Sequence, residues 1–179
     1  MGDDPDPIAE KLKKGVGEIT DENAAASGRQ MLEADFRRAA KQRAAAEFEA
    51  LTALLRERGA VIDAQRPPQT PSFKFVEVNH RLEAGKFAVQ LVPLPGFDTF
   101  RVRVLVGLHP NAHVFMLEVP NIPTDTEEYQ PSMDEHGFSW VHVETGEKAT
   151  AAEIINDALE ALAELLEADL RLGAQRWIL

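Results

Sequence analysis

Hydrophobic side chains recur at helical spacing from about residue 30 onward. Leu32, Phe36, Ala39, Ala40, Phe48, Leu51, Leu54 and Leu55 fall on one stripe, which predicts a long helix over residues 30–58. Gly59 reads as its stop, and Arg56 and Arg58 suit the negative end of its dipole. Only alanines occupy the stripe between Phe36 and Phe48, so this part of the helix suits close packing against another helix or a partner. Upstream, Ile8, Leu12 and Val16 recur every four residues, but Gly15 and Gly17 predict that any helix there ends within two turns. Residues 1–28, rich in Asp, Pro, Gly and Ala, are therefore expected to form a flexible segment ahead of a single domain over residues 29–179.

After the stiff run Gln65-Arg66-Pro67-Pro68-Gln69-Thr70-Pro71 the period changes from helical to alternating. Strands are expected at Phe73–Asn79, Lys86–Val92, Thr99–Val106, Val114–Val119 and Ser139–Val143, because these runs are rich in Val and Phe and are bounded by Gly, Pro, Asn and Asp. Phe87, Val89 and Leu91 alternate with Lys86, Ala88 and Gln90, and Phe100, Val102 and Val104 with Arg101 and Arg103. One sheet face is thus buried and the other is wet or bound. Short connections make neighbouring strands antiparallel. Pro120–Gly137 reads as a long acidic loop with three prolines. Thr150-Ala151-Ala152-Glu153 matches a capping box and opens a second helix, with Ile155, Leu159, Leu162, Leu166 and Leu170 on its apolar stripe and Gly173 as its stop. The expected fold is α+β, an antiparallel meander of about five strands with a long N-terminal helix and a C-terminal helix on one face. The apolar tail Trp177-Ile178-Leu179 reads as a segment that docks on the domain or on a second copy.

Composition narrows the chemistry. The chain has 179 residues, 44% of them hydrophobic, enough for one core without staples, and no cysteine, so disulfides, thiolate metal sites and a cysteine nucleophile are all excluded. A net charge of −11 argues against a phosphate-binding surface, and nucleic acid is not an expected partner. Acids concentrate in residues 120–137 and 144–170, whereas residues 29–43 carry a local basic face. No apolar run is long enough to span a bilayer and the first residues are acidic rather than basic, so a cytoplasmic location away from membranes is expected.

Three groups of residues carry candidate chemistry. His109 and His113 flank Pro110-Asn111, a turn that removes the helical geometry in which this spacing would bind a metal; they read as binding or turn residues, and no metal or cofactor is expected. Trp140, His142 and Glu144 share one face of the last strand because strand side chains alternate; a carboxylate and an imidazole there suit an acid–base pair with Trp140 as pocket wall, set against a tryptophan that simply buries its ring. Tyr129 and Met133, apolar residues within the acidic loop, suit contact with a partner. The acids of that loop fit no calcium-loop pattern, and there is no nucleophile elbow, P-loop or dinucleotide fingerprint.

The order helix, antiparallel meander, helix, with His109-Pro110-Asn111 near a strand end, resembles the ubiquitin-conjugating fold in coarse topology and one tripeptide. The catalytic cysteine of that family has no counterpart here, so the resemblance implies at most a binding-only relative. In outline the chain is also similar to small acidic bacterial secretion chaperones, although the helix expected in mid-sheet is not evident. The expected function is a non-enzymatic protein-interaction module of the adaptor, chaperone or immunity type, homodimeric, with a protein partner. The alternative is an enzyme or small-ligand binder with His142, Glu144 and Trp140 in a pocket between sheet and helices.

Overall fold

A computed structural model describes residues 7–96, 99–108 and 125–176. Two helices and seven strands follow in the order α1 (Pro7–Gln65), β1 (Phe73–Val76), β2 (Arg81–Ala84), β3 (Phe87–Pro95), β4 (Phe100–Leu108), β5 (Asp125–Asp134), β6 (Gly137–His142), β7 (Lys148–Ala149) and α2 (Ala151–Arg176), with one 3-10 turn at Glu77–Asn79. The strands form one sheet in sequential order, every neighbour antiparallel. The α+β meander is as expected, with seven described strands rather than about five. The expected strand Val114–Val119, together with His109, His113 and the tail Trp177-Ile178-Leu179, lies outside the described residues.

Contacts divide the chain into two units, Met1–Ala39 and Ala40–Leu179. In the first, residues from Pro7 onward are helical through Gly15, Gly17 and Gly28, so the early stop at the first two glycines is corrected. A lone glycine weakens a helix by only about 1 kcal/mol relative to alanine, and the Glu-, Lys- and Ala-rich neighbours outweigh it. Ile8, Leu12, Val16 and Ile19 are all exposed on this helix.

In the second unit, the apolar stripe of α1 works as the periodicity predicts: Ala40, Ala44, Phe48, Leu51 and Leu55 are buried. Gly59 does not end the helix. It is buried, and a Cβ there would lie 2.9 Å from Leu82 Cδ2 and closer still to Cδ1, so the glycine is where α1 comes close to β2. The helix stops instead before Pro67-Pro68, where the ring of proline removes a donor and turns its predecessor extended. Asp63 joins the helix end to the sheet: its Oδ1 accepts the backbone N–H of Phe73 and the Nε–H of Arg66, each at 2.8 Å. The amide first and the guanidinium second hold its carboxyl below the usual range.

The core lies on one face of the sheet. The pairings Leu82 with Val89, Val89 with Val106 and Leu91 with Val104 place these residues in rows across three strands, because directly opposed residues share a face. Phe48, Leu51 and Leu55 of α1 and Ile154, Ile155, Leu162 and Leu166 of α2 close over these rows as one hydrophobic cluster. The start of α2 is the capping box read from sequence: Thr150 N–H donates to Glu153 Oε2 at 2.7 Å and Glu153 N–H to Thr150 Oγ1 at 3.2 Å. Its expected stop at Gly173 is corrected, since the helix runs to Arg176. The sheet is bordered by short strands, four residues of β1 and two of β7.

The contrast between glycines is testable by urea denaturation followed by circular dichroism. Gly59→Ala is expected to lower stability by about 1 kcal/mol net, because overpacking against a buried Leu82 exceeds the helical gain. Gly15→Ala, with open space around it, is expected to increase helical signal without lowering the midpoint. A Gly59→Ala chain more stable than the parent would show that Leu82 has room to turn aside.

Candidate functional site

The same register that builds the core undoes it at β5. Val102, Val104 and Val106 on the apolar face of β4 stand opposite Tyr129, Glu127 and Asp125. Two carboxylates therefore occupy the face on which α2 packs. Carboxylates cannot be closed under an apolar helix without partners, and the sheet and α2 part here into an open cleft of about 650 Å³. Its floor is Val104, Val106, Ile154, Ala158 and Ala161; its walls carry Asp125, Glu127, Glu144, Glu147, Glu153 and Asp157. A smaller hollow sharing Val106, Asp125 and Ala161 continues along α2 to Glu164 and Leu165.

Against these six carboxylates the lining offers one lysine, Lys148, and its ammonium is paired with Asp134. Glu153 both walls the cleft and caps α2; the two hydrogen bonds from Thr150, the backbone one first, hold its carboxyl below the usual range. Among the described residues no three acidic or imidazole groups are placed to hold a metal ion.

His142 lies where β6 ends, with its side chain 14% exposed. The backbone N–H of Thr145 donates to its Nδ1 at 3.1 Å, which leaves Nε2 as the protonated nitrogen, and Nε2–H donates to Glu127 Oε2. Its ring stands edge-on to Tyr129, centroids 5.2 Å apart. Both nitrogens are thus used in holding the β6–β7 turn to β5. Glu144 lies in that turn, exposed, with no hydrogen bond or ion pair to any described residue, and the carboxylate that meets His142 is Glu127.

The structure brings His142, Glu144 and Tyr129 to one cleft. Trp140, 1% exposed, is instead part of the aromatic core with Phe100 and Phe138, and it does not line the cleft. Tyr129 and Met133 are not in a loop, as the proline and acid content suggested, but in β5. Met133 is half-buried opposite Phe138. Pro131 is tolerated because β4 pairs only as far as Tyr129, so the missing N–H at Pro131 breaks no bond to β4. Sequence reasoning weighed Asp125 and Glu127 only as cation ligands and set them aside as a solvated acidic loop, and it missed Glu147, Glu153 and Asp157 as site residues. A signal for the last two was present, since Glu153, Asp157 and Ala161 recur at four-residue spacing on α2.

Tyr129 is the most buried polar residue of the cleft, 7% exposed. Its phenol makes no hydrogen bond to any described residue. Burial first, and then the charges of Glu127, Asp157 and Asp125, push its pKa up to about 12.

Comparison with protein-family models, with curated proteins and with solved structures found no match, so the two topological resemblances gain no support. Among the described residues no helix is long and apolar enough to cross a membrane.

Tyr129 is the single tyrosine of the chain, so absorbance near 295 nm reports it alone. A native midpoint of about 12 is expected, against about 10 in denaturant. Above pH 10 the unfolded chain loses this proton before the folded one, so stability is expected to fall as pH rises through the window from about 10 to 12. Asp157→Asn is expected to lower the native midpoint; a native midpoint already near 10 would contradict the placement of the phenol among carboxylates.

Proposed function

We propose that the protein is a non-enzymatic protein-interaction module whose ligand seat is the cleft between β4–β7 and α2. The observation that carries this reading is the combination of an open, acid-walled cleft with an imidazole whose two nitrogens are both engaged. A general base needs a free lone pair within reach of a substrate proton; the Nδ1 lone pair of His142 is occupied by the Thr145 amide. The remaining groups are oriented acceptors over an apolar floor, which is recognition chemistry. A second reading, a small-ligand binder, is favoured by one feature: 650 Å³ lies within the usual span of small-molecule pockets, about 300–1,000 Å³.

Placing a photo-crosslinking residue at Glu147, exposed on the cleft wall, and separately at Gln130, exposed on the opposite sheet face, tests this directly. Irradiation in cell extract is expected to give discrete protein adducts at Glu147 and none at Gln130. Adducts of only a few hundred daltons would favour the small-ligand reading. Equal labelling at both positions, or none at either, would remove the cleft as the functional surface.

A further inference from the structure

We propose that the cleft seats an extended basic segment of a protein partner, its lysine or arginine side chains laid with their methylenes on the apolar floor and their charged ends among the carboxylates. This rests on the interaction-module reading above and names the chemistry of the partner.

Donors are what the cleft lacks. Ionised carboxylates only accept hydrogen bonds, and the walls present six of them. The one ammonium in the lining is committed to Asp134, and the imidazole N–H is committed to Glu127. A ligand that answers this array must bring both positive charge and several N–H groups, which an ammonium or guanidinium does.

Tyr129 supplies a second, independent indication. It is more than nine-tenths buried, lines the cleft, and its phenol has no hydrogen-bond partner among the described residues. The ring is buried but its hydroxyl opens on the cleft, so a ligand seated there can become its partner. A cationic N–H supplies that partner by donating to the phenol oxygen, and its charge answers the carboxylates of Glu127, Asp157 and Asp125 around the ring. An anionic ligand would instead meet the negative charges of Glu127, Asp157 and Asp125.

The floor decides what carries the charge. Val104, Val106, Ile154, Ala158 and Ala161 suit alkyl stems, which long basic side chains lay along apolar surface while their heads stay polar. Length decides the source. From Glu153 to Leu165 the cleft and its continuation follow α2 for about 18 Å at 1.5 Å per residue. An extended peptide covers that in about five or six residues, whereas a single amine fills one end. On the opposite sheet face Arg101 and Arg103 converge on Glu128, so that face, unlike the cleft, answers its carboxylate with cations.

The test uses the full chain and a fluorescein-labelled peptide of about six alternating lysines and alanines, read by anisotropy. Two double variants remove the same charge: Glu144→Gln with Asp157→Asn in the cleft, and Glu49→Gln with Glu57→Gln on the exposed surface of α1, outside the cleft lining. Glu144 and Asp157 are exposed and make no hydrogen bond or ion pair to a described residue, so both variants are expected to fold, which circular dichroism checks. Saturable binding is expected, weakened roughly five- to tenfold by the cleft pair and barely by the surface pair. Tyr129→Phe is expected to weaken it as well while leaving the fold in place. Equal weakening by both pairs would reduce the effect to general attraction and overturn the proposal. Spermidine displacing the peptide at matched charge would assign the cleft to free polyamines and overturn the protein source. No binding of the peptide, with specific adducts still obtained at Glu147, would refute the basic partner while leaving the interaction module standing.

Discussion

Everything distinctive in this molecule follows from one row of the sheet. Across β3 and β4 the buried face is continuous hydrocarbon, and at β5 the same face continues as Tyr129, Glu127 and Asp125. Strand side chains alternate with a period of two, so these residues cannot turn away without moving Glu128 and Thr126 onto the helix side in their place. The helix that covers the sheet is therefore sealed along β3 and held off along β5. The opening between them is a consequence of register and not of a loop or a hinge.

Several otherwise separate contacts are adjustments to that row. His142 donates to Glu127 from the neighbouring strand, which gives one of the intruding carboxylates a partner. The Thr145 amide fixes the ring that does so, and the cap on α2 orients Glu153 on the far wall. Asp134, at the end of β5, takes Lys148 and keeps it from neutralising the others; the ammonium first, then the His136 amide, hold its carboxyl below the usual range. The walls are thus fixed by neighbours while Glu144, Asp157 and the Tyr129 phenol are left unmatched.

Elements with strong periodicity were legible in the sequence. The stripes from Ala40 to Leu55 and from Ile155 to Leu166, the capping box and the alternation of β3 and β4 fold as they read, whereas Leu32 and Leu170, read onto the same stripes, are exposed. All three helix stops taken from glycine, at Gly15 and Gly17, at Gly59 and at Gly173, are overturned. Glycine ends a helix only where the chain needs a left-handed residue or nothing else favours continuing; Gly59 is used for closeness to Leu82 and Gly173 lies in a strongly helical run. Strand β5 was invisible because its inward row of Asp125, Glu127, Tyr129, Pro131 and Met133 includes two acids and a proline, types that strand patterns exclude. The site was half legible. His142, Glu144 and Tyr129 were singled out, but the pairing of His142 with Glu127 joins residues fifteen apart across a hairpin, and no local spacing encodes it. Trp140 drew notice for its polar neighbours, yet strand alternation and the aromatic rings of Phe100 and Phe138 bury it.

The short strands that border the sheet limit how the molecule can meet others. A free border offers a ladder of unpaired amides and carbonyls on which a foreign strand can grow, and a stub of two residues on one side and four on the other gives such growth almost no template. Recruitment by backbone zippering is thereby discouraged at both flanks. What such flanks leave open to contact is side chains, whose identity differs from position to position, rather than the backbone that all chains share.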